Sequence, residues 1–188
     1  SAIVASAWSV VAKRGVEALS LRSVADALGV SHAAPAHHFP DKNALLAALR
    51  AEAWRRFADA LEAAEPEGLR ALGRAYVAFA TGHPRQMQLM FRVGGQPTAE
   101  IGEEGGRAWA SLSRAVASEV GPERAADLEE LNLMAAAAWA GVHGLAALLT
   151  EVALPAPFAA GDALRERVLD VVLAGLRAGR PESASGAW

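Results

Sequence analysis

The run Ser20-Leu21-Arg22-Ser23-Val24-Ala25-Asp26-Ala27-Leu28-Gly29-Val30-Ser31, with the short segment that follows it to Phe39-Pro40, decides how this chain folds. Ser20 is a good helix N-cap, and Leu21, Val24, Ala25 and Leu28 recur at helical spacing and face inward. Gly29 supplies a left-handed turn that another residue adopts only at a cost. Ser31 then caps a third helix, in which Pro35 falls four residues past the cap, near enough to the start for the missing N–H to be tolerated. The reading is helix, tight turn, helix. Val30 and Phe39 close a small core with helix two, which leaves one face of helix three free to enter a DNA major groove. Spacing alone also admits an ordinary pair of packed helices.

Outward from this segment the whole chain reads as α. Helical spacing dominates, and β-branched alternating runs bounded by turn signals are missing. Helix one runs to about Arg14, with Ile3, Ala7, Val10 and Val11 on one face and Gly15 as its stop. Asp41 caps helix four, whose stripe Leu45, Leu46, Leu49, Ala53, Phe57 and Leu61 continues to about Ala64; at ~1.5 Å per residue it is on the order of 35 Å long, enough to join two domains. Past Pro66 the pattern predicts a helix to about Gly82, a short one from Pro84 to Arg92, and a Gly/Pro-rich loop from Gly94 to Gly106. Helices over Arg107–Val120, Glu123–Glu151 and Asp162–Ala178 follow, about nine in all, and Gly179–Trp188 reads as a flexible tail. The expected domains are residues 1–45, 46–178 and the tail 179–188.

The chain has 188 residues, of which 53% are hydrophobic, enough to bury a core without staples, and it has no cysteine. That excludes disulfides and thiol chemistry and suits a reducing cytoplasm; the start of the chain also lacks the basic, apolar and cleavage-site succession of a signal peptide. Lys13 and Lys42 are the only lysines, a usage typical of GC-rich bacterial coding. The net charge of −3 hides an asymmetry: residues 1–57 carry +3 and residues 58–188 carry −6. The front end is therefore the candidate for a polyanion. His32, His37, His38, His83 and His143 form no metal-ligand spacing, no phosphate-binding glycine loop follows a strand, and no nucleophile sits in a recognisable frame. An enzyme, a metal site and a cofactor are not expected.

The run Gly15 to Leu46 resembles the N-terminal domain of TetR-like transcription regulators, most specifically in His38-Phe39-Pro40-Asp41-Lys42 with Leu45-Leu46. Ala75 to Pro84, Leu89-Met90-Phe91 and Trp139-Ala140-Gly141-Val142-His143-Gly144-Leu145 resemble the TetR subgroup whose C-terminal domain carries a Trp, His-Gly signature. The resemblance implies a ligand-responsive repressor that holds a palindromic double-stranded operator as a homodimer and releases it when a small effector moves helix four like a lever.

Ser31, His32 and Ala33 stand where such modules face base edges, with His32 the candidate for direct readout and His37 a base or phosphate candidate. Arg22 and Lys42, in first turns, are candidates for phosphate contacts, which add affinity without sequence choice. His38 is expected to pack beside Phe39 or satisfy a backbone group. Ala36 departs from the family, which usually has an aromatic residue there against the DNA backbone. That departure keeps a second reading open, a helical small-molecule-binding protein with weakened DNA binding.

The ligand candidates come from the aromatic and sulfur-bearing residues of the middle: Phe79, Met87, Phe91, Trp109, Met134, Trp139 and His143, in a set that also includes Tyr76 and Met90. Each can equally be plain core. Leu131–Thr150 is apolar and nearly long enough to cross a bilayer, but its many alanines with Asn132 and His143 favour a buried helix over a membrane span. Gly141, Gly144 and Leu148 on this helix, with Leu164, Val168, Val172 and Leu176 on the last, are the expected four-helix seam between two copies.

Overall fold

The structure is a computed structural model, and it describes residues 1–91, 99–151 and 161–178. These form α1 (Ala2–Arg14), α2 (Leu21–Leu28), α3 (Lys42–Ala64), α4 (Leu69–Gly82), α5 (Pro84–Met90), α6 (Ala99–Val120), α7 (Pro122–Ala125), α8 (Leu128–Glu151) and α9 (Gly161–Ala178). Short 3-10 turns lie at Val16–Ala18, Pro35–His37 and Glu65–Glu67. The described residues contain no strand. Two compact units result: residues 1–58 with 83–106, and residues 59–82 with 107–188. The expected boundary after residue 45 falls within α3, inside the first unit.

In the first unit, α2 starts on a reciprocal cap. Ser20 Oγ accepts the Ser23 N–H at 2.9 Å, and Ser23 Oγ accepts the Ser20 N–H at 2.9 Å. It stops at Gly29, whose φ of 69° and ψ of 29° are the left-handed values that suit glycine. Asp41 caps α3 by accepting the Ala44 N–H at 2.8 Å. Ala7, Val10 and Val11 of α1, Leu19, Val24 of α2 and Leu45 and Leu49 of α3 form the core, and Leu89 of α5 joins them. Leu21, Leu28 and Phe39 pack against it partly buried. Val30, expected in this core, is instead 44% exposed, because the left-handed turn carries it outward.

Helix three is not formed as expected. The chain from Ser31 makes a turn, closed by the Ala34 N–H on the Ser31 carbonyl at 3.0 Å, and then a single 3-10 turn over Pro35–His37. Pro35 explains the break: it has no N–H to donate, and its ring clashes with the carbonyl four residues back, where an α-helix would continue. The proline is itself buried, so it anchors the segment while the residues around it face out.

In the second unit, α4, α8 and α9 pack on one another. Their core is Leu72, Tyr76 and Val77 of α4, Ala135, Ala138 and Val142 of α8, and Leu169 and Leu173 of α9. Gly141 lets α8 and α9 approach: a Cβ there would lie 2.7 Å from Val172 Cγ2. Gly141 and Val172, both among the expected seam residues, thus meet within one chain. Arg74 grips Glu166 with two hydrogen bonds of 2.8 and 2.7 Å, and Arg70 pairs with Glu166 and Asp170, which tie α4 to α9. Arg107 pairs with Asp59 and Glu62, and Arg114 with Glu65. Arg114 accordingly holds the Glu65 carboxyl below the usual carboxylate range, and Arg74 does the same for Glu166. Such exposed pairs set register more than stability.

Two other boundaries differ from expectation. Residues 99–106, read as loop from their glycines, begin α6, and a Cβ on Gly105 would make an ordinary 4.0 Å contact with the Trp54 ring. The helix expected over 123–151 breaks after Ala125 and restarts at Leu128, because the Asp127 carboxylate accepts the Glu129 and Glu130 N–H groups at 3.0 and 3.1 Å. By length and composition, Leu128–Thr150 is, among the described residues, the one stretch long and apolar enough to cross a membrane. The expected tail, 179–188, lies outside the described residues.

Candidate functional site

The DNA-facing candidates lie on the outside of the first unit. Arg22, Ser31, His32, Ala33, Ala36 and His37 are exposed, and Lys42 is half-buried. The Lys42 ammonium donates to the Glu17 carbonyl at 3.4 Å, which ties the start of α3 to the turn after α1 and leaves two of its three donors for other acceptors. His38, expected against Phe39, is exposed as well. His32 Nε2 lies 2.8 Å from Asp26 Oδ1. Sequence reasoning counted Asp26 only as a charge; nothing in helical spacing showed that the turn at Gly29 folds His32 back onto it. Further along the first unit, Arg55 and Arg56 both bond Glu52 and, against the opposing effect of burial, hold its carboxyl below the usual range.

The ligand candidates divide between the two units. Met87 and Phe91 belong to the first, where Phe91 meets Trp54 edge-on at 5.2 Å and Trp54 meets Phe57 at 5.9 Å. Phe79, Trp109, Met134, Trp139 and His143 belong to the second. There Trp139 stands edge-on to Trp109 at 6.4 Å, and its indole N–H donates to the Tyr76 hydroxyl at 3.2 Å. That hydroxyl in turn lies 2.7 Å from His143 Nδ1. Which of the two donates follows the tautomer of the His143 ring, since the hydroxyl can both donate and accept. Burial pushes the Tyr76 phenol up to about 12, opposed by the Trp139 hydrogen bond.

Tyr76 is therefore the hub of the polar group in this unit, and its role was hidden in the sequence by the 67 residues that separate it from His143. Met134 is not part of this group. It sits under the Arg124 guanidinium at 3.1 Å, in the wall of a separate cavity of about 350 Å³ that Glu130, Leu133, Val172 and Leu176 also line. Phe79 is buried on α4, and Trp109 and Trp139 are 36% and 38% exposed.

Of the expected seam residues, Leu176 is buried, and Gly141, Leu164, Val168 and Val172 are half-buried. Gly144 is exposed and Leu148 is 44% exposed. Exposed apolar side chains continue along α8 and α9 at Leu128, Leu133 and Val171. No group of three or more His, Cys, Asp or Glu residues that could hold a metal occurs among the described residues.

Residues 3–49 match the model for bacterial regulatory proteins of the tetR family, and residues 69–172 match the tetracyclin repressor-like C-terminal domain. The chain belongs to the TetR family. A solved structure from Rhodococcus sp. RHA1, of a protein of unknown function, is 32% identical over 94% of each chain with a TM-score of 0.75. The proposed regulatory protein SCO4313 is 25% identical over 92% of this chain and 93% of its own, with a TM-score of 0.77. A tetR-family regulatory protein from Rhodococcus RHA1 shares the fold at 20% identity over 96% and 97%, with a TM-score of 0.67. No curated protein matches the chain. TetR-family members are DNA-binding transcription regulators and not enzymes, and the all-helical TetR fold accounts for both units of this chain.

Proposed function

We propose that this TetR-family chain is a cytoplasmic, ligand-responsive repressor that holds a palindromic operator as a homodimer and releases it when a small lipophilic or aromatic effector binds. The observation that carries this reading is the outward display of Ser31, His32, Ala33 and His37 beyond a capped α2, a left-handed Gly29 and an internal core. Ser31, His32 and Ala33 contact base edges, His37 a base or phosphate, and Arg22 and Lys42 phosphates. Residues 1–45 form the DNA-binding domain and 46–178 the effector and dimerisation domain. The exposed apolar face of α8 and α9, with Gly144, Leu148, Leu164 and Val168, meets its counterpart in a second copy. That use of the face, not a bilayer, accounts for the apolarity of α8. The effector lies against Trp109, Trp139 and His143 of the second unit, with Phe79 as a further candidate contact. To empty the operator almost completely, it must favour the released form by roughly 5.5 kcal/mol.

A specific observation favours a second reading, a helical binding protein with weakened DNA affinity. Ala36 presents only a methyl group, on a segment that is a 3-10 turn and not an α-helix. One titration decides. DNA flanking the protein's own gene, in a gel shift over a series of salt concentrations, is retarded at a discrete site if the first reading holds. Retardation no greater than that of unrelated DNA at every salt concentration sinks it.

A further inference from the structure

We infer that Asp26 is a positioning residue for sequence reading: its carboxylate holds one ring nitrogen of His32 and so determines which base edge the other nitrogen accepts. The inference rests on the proposed operator binding and adds to it a residue that makes no base contact itself.

His32 and Asp26 meet at 2.8 Å through Nε2 and Oδ1. A carboxylate only accepts, so Nε2 donates to it, and in the neutral form of the ring Nδ1 is then a bare acceptor. The two residues come from different elements, Asp26 from the last turn of α2 and His32 from the turn beyond Gly29. The left-handed glycine reverses the chain sharply enough to lay the imidazole back on the helix that precedes it. Asp26 also anchors the turn through its main chain, since its carbonyl accepts the Gly29 N–H at 3.3 Å. The side chains are 54% and 61% exposed, so the pair lies on the surface and does not belong to the core.

In the major groove a bare imidazole nitrogen is matched by an amino group, N6 of adenine or N4 of cytosine. It is mismatched by the O4 of thymine or the O6 of guanine, which are acceptors too. With Asp26 in place, His32 thus favours an amino-bearing base at one operator position. Without the carboxylate, the ring takes either tautomer and turns freely, and it accepts or donates as the base requires. A phosphate-contacting residue would change affinity uniformly across sequences. Asp26 changes the relative preference at one base pair, on top of any uniform effect of its charge.

The test uses the full chain, its operator and a set of operators in which each base pair is inverted in turn, read by fluorescence anisotropy at fixed salt. For the wild type, inversion at one position of each half-site, from amino to carbonyl, is expected to weaken binding roughly tenfold. Asp26→Ala reduces that penalty to less than about twofold while other positions keep theirs. Asp26→Asn separates charge from geometry: its side-chain oxygen still accepts from Nε2, so the penalty survives, while loss of a negative charge near phosphate strengthens binding to all operators. His32→Ala abolishes the penalty at the same position. The inference is overturned if Asp26→Ala keeps the wild-type pattern, or if it shifts every operator equally. A wild type that prefers no sequence overturns the operator reading along with it, so the two failures are distinct.

Discussion

Replacement of Gly141 by alanine tests how α8 and α9 are joined. A methyl group at Gly141 would stand 2.7 Å from Val172 Cγ2, closer than carbon atoms approach, and the β-branched valine has little freedom to turn away. Gly106, in α6 and exposed, is the matched control, because a methyl group there has nothing within 4 Å. In an open helix interior glycine to alanine is worth about 0.8–1.0 kcal/mol, so Gly106→Ala stabilises by that amount. Gly141→Ala has the same helical gain but meets an overpacking cost of about 1–3 kcal/mol, and it should fall below the control by that difference. In a chain of this length the gap corresponds to roughly 2–4 °C in Tm per kcal/mol. Removing the obstacle should remove the gap: in a Val172→Ala background, Gly141→Ala behaves like Gly106→Ala. Urea unfolding of the four variants, with the slope m checked for constancy, supplies the coupling energy. Additivity of Gly141→Ala and Val172→Ala within about 0.5 kcal/mol would refute the contact, and with it the placement of α9 on α8.

Other consequences are as direct. Tyr76 is the only tyrosine, so tyrosinate absorbance reads it alone; it should ionise near pH 12 and not near 10. Because the folded state holds this proton more tightly than the unfolded state, stability is unaffected below pH 10 and falls by roughly 2–3 kcal/mol as pH rises from 10 to 12. Titration near pH 10 in the folded protein would show that the phenol is not buried. Ser20→Ala removes the acceptor of the Ser23 N–H and should cost about 1 kcal/mol in chemical denaturation; no loss would mean that the cap is satisfied by solvent. Ala36→Tyr restores an aromatic ring on the exposed side of the 3-10 turn and should tighten operator binding at fixed salt, whereas equal or weaker binding counts against that use of the position.

What could be read from the sequence was local. Ser20, Gly29 and Asp41 act within four residues of themselves, and each does in the structure what its side chain or backbone preference dictates. The apolar stripe through Leu45 and Leu49 was legible for the same reason, since helical period and burial coincide there. Pro35 marks the limit of such reasoning. Its missing donor was treated as harmless near a helix start, but its ring also excludes the carbonyl behind it, and the α-helix never forms. Residues 99–106 fail differently: local glycine propensity says loop, yet they form the first turns of the long helix α6. The polar group of Tyr76, Trp139 and His143 was out of reach because it is assembled from α4 and α8, and no spacing rule links the two helices. Gly141 and Val172 were legible as members of two complementary helices, but sequence could not say that these two residues are the ones in contact.

Specific operator binding by residues 22–42 is put to the test by a salt-dependent titration of wild type against Lys42→Ala. A phosphate contact at Lys42 predicts that log K against log salt becomes shallower by about 1 while sequence preference is kept. An unchanged slope, with binding no tighter to the flanking DNA than to unrelated sequence, would rule out operator binding by these residues.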